Sequence, residues 1–500
     1  MATQHPDNAG SPWWKEGPFV ATQDEIEEVI LMFKELNMDE YMWDWEGKYV
    51  DEAVGEKLYS KAGELFAKHP LGERFKLTYR IPAFDGERMH RMARAMMNIL
   101  SLDDLGRDLK LKHSPVEEMF LPLTTSAEQP MKVRSAFKDI AGYHRAVFHA
   151  PGKGKTDIVN LFEVTPLVED VGSLLSIDKI LKPYWKSVQK EREVRDQRIF
   201  LARSDPAMNA GLVPAVLAIK AALSLAEEVG DSLKIKVHPV IGTGSLPFRG
   251  SVNPHYTDSF LKQYAGVRTY SIQSAFRYDY EAKDVTSAIK KIHADVPKHH
   301  TMHVPPEDLK KIKELSDIFQ KIWKPTIETI APLINEAASF MPPRRERLQH
   351  IGLFGYSRGI GKVRLPRAIG FTGSLYSIGV PPEIIATGRG LRIAREKGLL
   401  PIIEKYYPAL RADLHHAGKY LNRENLLLLG KKQEVWRDIQ DDAAQIEEIL
   451  EIVLEPEEPR HMLHRNLTSS IYQRLTSKEK SKESISRDIV EAGKLRRSLG

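Results

Sequence analysis

The sequence contains no cysteine. Disulfide scaffolds, zinc ribbons and thiol nucleophiles are therefore excluded, and any metal must be held by oxygen or imidazole. No apolar run approaches the ~20 residues needed to span a bilayer, so no membrane partner is expected. The opening residues, MATQHPDNAGSPWW, show no basic stretch followed by an apolar one. A secretory signal is thus not expected and a cytoplasmic protein is. Charge of one sign is also scarce: the net is +5 over 500 residues. With no interleaved basic and aromatic module, this argues against a nucleic-acid partner. No repeat of about 20–50 residues interrupts the chain.

What is present fits a globular protein, with 42% hydrophobic and 28% charged residues. Residues 22–37 read as an amphipathic helix opened by a capping box of Thr22 and Glu25. Six short apolar runs of β type follow: Phe75–Pro82, Met119–Thr125, Ile158–Thr165, Arg198–Ser204, Ile235–Ile241 and Thr269–Ser274. Their starts lie about 35–45 residues apart, with helical periodicity between them. That spacing predicts parallel βα units. Six units with room for two more predict an α/β protein, a (β/α)8 barrel with long insertions. From about residue 305 the chain reads as mainly helical. The expectation is one continuous body over residues 1–500, with barrel strands within about 75–280 and helical additions over about 300–500.

Polar residues stand at the C-terminal ends of these runs. Arg80 ends the first, Glu163 the third and Asp205 the fourth. Gly242, Gly244 and Arg249 follow the fifth, and Gln273 and Arg277 close the sixth. In a barrel these positions converge on the face where such enzymes place their sites. Two carboxylates suit Mg²⁺ or Mn²⁺, and arginines suit phosphate and carboxylate groups. The pattern predicts an anionic, phosphorylated substrate bound with a divalent metal. Any one of these residues could instead be a strand-end salt bridge; several in register argue against that for the set.

The chain resembles phosphoenolpyruvate carboxylase of the short archaeal type. The resemblance rests on TQHPDN (3–8), MWDWEGK (42–48), FLPLTTSAEQ (120–129), LFE (161–163), ARSDPAMNAG (202–211), GTGSLPFRGSVNP (242–254), QSAFRYDY (273–280) and residues 356–379. It implies carboxylation of phosphoenolpyruvate with bicarbonate to oxaloacetate and phosphate, an anaplerotic carbon dioxide fixation, through carboxyphosphate and a pyruvate enolate. It implies Mg²⁺ or Mn²⁺ as cofactor and a homotetramer. His5 matches the catalytic histidine of the TAHP motif in larger relatives. Glu163 and Asp205 match the metal carboxylates. Arg80 and Arg249 match arginines facing the phosphate, Arg249 being taken as catalytic. Arg358 matches the arginine of the SRP motif. Arg344 stands near where a further substrate arginine is expected, with Arg345 and Arg347 as competitors.

The chain departs from the larger relatives at Met208, where they carry lysine, and near Thr243, where they carry a first loop arginine. Its last residues, AGKLRRSLG, resemble their C-terminal AGMRNTG, and Arg496 to Gly500 are expected to pack toward the barrel mouth. His5 lies close to the start of the sequence, so it needs an anchor, for which Pro6, Trp13 and Trp14 are the candidates. KHHTMH (298–303) is read as an exposed loop, and GYSRGIGKV (355–363) lacks the Walker A spacing. The alternative function is another metal-dependent barrel enzyme of phosphoenolpyruvate or pyruvate, which would need no histidine at position 5.

Overall fold

Eight parallel strands follow one another in chain order and pair with their sequence neighbours. They are β1 (Ala2–Thr3), β2 (Glu40–Asp44), β3 (Lys76–Arg80), β4 (Glu118–Leu121), β5 (Glu163–Val168), β6 (Asp196–Ala202), β7 (Lys236–Gly242) and β8 (Thr269–Tyr270). This computed structural model describes residues 1–84, 89–148, 162–346, 358–360 as backbone, 363–478 and 480–500. Just past β8, Ile272 bridges Ala2 in parallel. Thr3 N donates to Ile272 O at 3.1 Å and Ile272 N to Met1 O at 2.8 Å. The last strand thus meets the first, and the barrel closes without an exposed sheet edge. The two units beyond the six visible runs are β1 and β2.

Five of the six expected runs overlap their strands closely, while the third is displaced. β5 begins, rather than ends, at Glu163, so the expectation that Glu163 closes a strand is overturned. The residue that follows the strand is Glu169. Side chains alternate along a strand, so Glu163, Thr165, Leu167 and Glu169 share one face. At ~3.3 Å per residue, Glu163 and Glu169 stand about 20 Å apart along it.

Inward-facing residues form three levels. At the strand starts, Arg198 Nη1 donates to Glu118 Oε2 at 2.5 Å and its Nη2 to Glu40 Oε2 at 2.9 Å. Thr78 and Thr165 donate to the same two carboxylates. Above them Met1, Met42, Phe120, Leu167, Phe200 and Val240 form a dry layer. The third level, at the strand ends, is polar and opens into a second cavity. The charges at the strand starts are tolerated inside the barrel because they are paired with one another.

The helical half rests on this barrel. Its helix Pro306–Ser339 buries an apolar stripe that includes Phe319, Trp323 and Ile327. The stripe packs on the helix Leu212–Leu233 and on the loop after β7, where the Phe248 and Trp323 rings stack at 5.7 Å between centroids. Burying side chains of this size contributes about 1.5–3 kcal/mol each. Met208 joins this core fully buried, its carbonyl accepting from Trp323 Nε1 at 2.8 Å. The position where larger relatives carry lysine thus faces packing rather than the barrel mouth.

Candidate active site

Two cavities open on the barrel axis. The larger, about 620 Å³, lies at the strand starts and is lined by Glu40, Glu118, Glu163, Arg198 and Thr269, among others. Its buried charges satisfy one another, and Glu163 is tied to Arg192 and to Gln197 Nε2 at 3.1 Å. The smaller, about 60 Å³, lies at the strand ends and is lined by His5, Arg80, Glu169, Asp205, Arg249, Gln273 and Arg367. The second stands at the C-terminal ends of the strands, the face where barrel enzymes place their sites, so it is the candidate site despite its smaller volume.

His5 reaches the mouth because it lies two residues past β1, making it a strand-end residue like the others. Of the expected anchors, Pro6 is buried and Trp14 packs partly buried against the core, whereas Trp13 is 49% exposed. The segment is also fixed by β1 and a web of hydrogen bonds. Ser274 Oγ donates to the His5 carbonyl at 2.7 Å and accepts from Asp7 N at 2.9 Å. Ala275 N donates to Asp7 Oδ1 at 2.7 Å. Beyond it, Arg344 donates to the Asn8 and Ala9 carbonyls at 2.9 and 3.0 Å, and Asp279 accepts from Ala9 N and Gly10 N at 2.7 Å each. Arg344 is therefore a clamp on this segment and does not line the cavity. The His5 ring has Nδ1 3.0 Å from Thr3 Oγ1. Burial, followed by the charge of Arg80, holds its pKa well below the usual histidine range, so the imidazole is neutral.

Arg277 is also placed differently from expectation. Its Nη2 donates to the Thr3 carbonyl at 2.8 Å and its Nη1 lies 3.2 Å from Glu28 Oε1. It braces β1 from outside the barrel. Glu28 further accepts two bonds from Arg345, at 2.6 and 2.7 Å. The guanidiniums of Arg277 and Arg345 together hold its carboxyl at about 2 despite burial.

Arg80 lines the cavity as expected. It is oriented by Asp44, which accepts from Nε at 3.0 Å and from Nη2 at 2.6 Å, and by Glu46 at 3.3 Å. Trp43 and Trp45, flanking Asp44, are fully buried packing residues. Glu46 also approaches Arg367 Nη2 at 3.6 Å. Arg367 stands at the N-cap of the helix Ala368–Ser377, whose first two residues also line the cavity. The positive end of that helix therefore faces the site. Arg358 heads a short strand, and its side chain falls outside the described residues, as does Arg347.

Arg249 enters from the turn Pro247–Arg249 after β7. Gly250, at φ +117°, permits the turn, and a Cβ on Gly244 would meet the Arg249 guanidinium at 2.7 Å. The glycines of this loop thus make room for the arginine. Its Nη1 donates to the Gly500 main-chain oxygen at 2.6 Å and lies 3.2 Å from Asp7 Oδ2, and its Nη2 donates to Gln273 Oε1 at 2.5 Å. Residues 496–500 have returned to the barrel mouth, with Leu499 N donating to the Asp7 carbonyl at 2.7 Å.

Asp205 sits in the first turn of the helix Ser204–Ala210, directly after β6, where the helix dipole favours a carboxylate. Glu169 is 4% exposed, and its Oε2 accepts from Leu123 N at 2.9 Å. Among the described residues no three histidines or acids group as a metal site. Two carboxylates on one cavity leave the other positions to oxygens of substrate or water. This donor set fits Mg²⁺ or Mn²⁺, hard cations that keep several such ligands. Glu169, Asp7, Asp44 and Arg367 were not singled out in the sequence. The cue for Glu169 was Asp170, which caps the following helix by accepting from Ser173 N at 2.8 Å and so marks where β5 has ended.

A sequence model of the phosphoenolpyruvate carboxylase family matches residues 1–500. The chain is 36% identical over 512 aligned residues to a phosphoenolpyruvate carboxylase of Metallosphaera sedula, covering 100% of this chain and 99% of that one. It is 34% identical over 477 residues to one of Leuconostoc mesenteroides, covering 95% and 94%. It is 40% identical over 438 residues to one of Caldivirga maquilingensis, covering 85% and 83%.

Proposed function

This chain belongs to the phosphoenolpyruvate carboxylase family, and we propose that its strand-end cavity is where phosphoenolpyruvate and bicarbonate become oxaloacetate and phosphate. The observation that carries this reading is the convergence of His5, Arg80, Glu169, Asp205, Arg249 and Arg367 on one cavity. Glu169 and Asp205, not Glu163, would hold Mg²⁺ or Mn²⁺. When bound, the metal supplies positive charge against the transferring phosphoryl group and the enolate oxygen.

Arg249 and Arg367 grip the phosphate and carboxylate of phosphoenolpyruvate, which a guanidinium fork fits better than a point charge. Arg80, fixed by Asp44, completes the positive wall. A bicarbonate oxygen attacks phosphorus and the bond to the enol oxygen breaks, leaving carboxyphosphate and pyruvate enolate. The arginines stabilise charge on the group in transit. In the tautomer whose Nδ1–H donates to Thr3 Oγ1, Nε2 is the acceptor. It takes the carboxyl proton of carboxyphosphate, whose C–O bond to the phosphate breaks to release carbon dioxide and phosphate. The enolate carbon then attacks carbon dioxide. A neutral His5 suits a proton acceptor, and the negative charge of substrate would raise its basicity.

The assay that tests this is oxaloacetate formation from phosphoenolpyruvate, with and without bicarbonate and metal. Dependence on both is expected. Turnover without bicarbonate would instead favour another phosphoenolpyruvate enzyme. A homotetramer is proposed as well. Exposed Leu427, Leu428, Met462 and Leu463, on helices in contact, supply an apolar patch of the kind subunits cover. A monomeric mass by light scattering would overturn it.

A further inference from the structure

The turn that presents Arg249 is held from two sides. Arg203, directly after β6, donates from Nη1 to the Phe248 carbonyl at 3.0 Å and from Nη2 to the Pro247 carbonyl at 3.3 Å. From the helical half, Glu383 Oε1 accepts the Phe248 amide at 2.7 Å. The same oxygen accepts the Tyr376 hydroxyl at 2.8 Å. Further along the loop, Ser251 Oγ donates to Asp413 at 2.6 Å. The Phe248 ring is wedged between Trp323 and Phe371, 5.7 Å from each.

Glu383 is fully buried, and its Oε2 has no hydrogen-bond partner. Among the described residues it forms no ion pair. Burying a carboxylate without a cation is costly, and burial pushes this one up to about 7. It does not line the cavity. Besides the Tyr376 hydroxyl it holds one peptide amide, next to the residue whose guanidinium must be aimed.

We infer that Glu383 is a positioning residue for Arg249, fixing the Phe248 amide and with it the line along which the guanidinium enters the cavity. This rests on the reading of Arg249 as a ligand of the substrate phosphate. A side chain moved by ~1 Å at a distance from the chemistry can lower turnover about 10²-fold, and one methylene at position 383 acts on that scale.

The test uses Glu383→Gln, Glu383→Asp and Glu383→Leu in the full chain. Steady-state kinetics are combined with binding of inorganic phosphate and of Mn²⁺ without turnover. Gln keeps an acceptor oxygen in place and is expected within about threefold of the parent in kcat/KM for phosphoenolpyruvate. Asp retracts the oxygen and Leu removes it. Both are expected to weaken phosphate binding and to lower kcat/KM by about 10–10²-fold, on the same scale, with Mn²⁺ affinity unchanged. Asp is the less disruptive of the two and decides the matter if Leu does not fold. Unchanged phosphate binding and kcat/KM in Asp would overturn the inference, and so would parallel loss of phosphate and Mn²⁺ binding. Arg249→Lys is the control: full activity there would sink the reading of Arg249 itself, whatever Glu383 does.

Discussion

Arg249 Nη1 donates to the main-chain oxygen of Gly500 at 2.6 Å, joining the loop after β7 to the far end of the sequence. The turn 498–500 is held by Leu499 N on the Asp7 carbonyl and by Arg496, whose Nη2 donates to the Leu499 carbonyl at 2.7 Å. Deleting residues 496–500 should therefore free Arg249 and loosen Asp7 together. Turnover should fall at least tenfold, on the scale of losing one preorganised charge-stabilising contact, while the thermal midpoint changes less. Kinetics beside calorimetry would show this. An unchanged kcat would reduce the contact to packing.

For the metal carboxylates, Glu169→Gln and Asp205→Asn should each abolish most metal-dependent turnover, by about 10²-fold or more, and weaken Mn²⁺ binding followed by electron paramagnetic resonance. Glu163→Gln should keep both, because Glu163 opens at the other end of the barrel and pairs with Arg192. Loss of Mn²⁺ binding in the Glu163 variant alone would reverse the assignment.

Arg249→Lys should lose about 10²-fold in kcat/KM although charge is kept. A lysine cannot reach Gly500, Asp7 and Gln273 together and still face a phosphate.

His5→Asn should separate the steps. Phosphate release should continue and remain bicarbonate-dependent, while oxaloacetate falls and pyruvate appears. Deleting Met1–Asn8 should not copy this pattern. It removes β1, exposes the edges of β2 and β8, and should give insoluble protein. A soluble truncation with full oxaloacetate synthesis would exclude His5 as the base.

The pH dependence of stability has one assignable part. Burial pushes Asp279 up to about 7, against the two amide bonds it accepts. Because the folded value is raised, the folded state holds this proton more tightly than the unfolded one does. The contribution is present below the unfolded carboxyl range and is lost as pH rises through about 7. Asp279→Asn should therefore lose less stability than the parent between pH 5 and 8 in urea titrations. Parallel pH profiles would remove Asp279 from this role.

The short apolar runs and their roughly forty-residue spacing were enough to specify parallel strands and a barrel. They could not say which end of the barrel a residue occupies. Glu163 and Glu169 have the same parity, and the apolar run before Glu163 reads much like the strand after it, which holds Pro166. Only pairing with β4 and β6 set the strand's limits. β1, two residues long, carries no pattern of its own and exists because Met1, Ala2 and Thr3 bond to Ile272 and β2. Closure of the sheet, a contact across nearly three hundred residues, turned His5 from a chain-end residue into a strand-end one. The arginines divide in the same way. Composition and motif marked Arg80, Arg249, Arg277 and Arg344 alike. Packing decided that Arg80 and Arg249 face the cavity while Arg277 and Arg344 satisfy carbonyls of the segment that carries His5, because a buried guanidinium must find acceptors wherever the fold has put them.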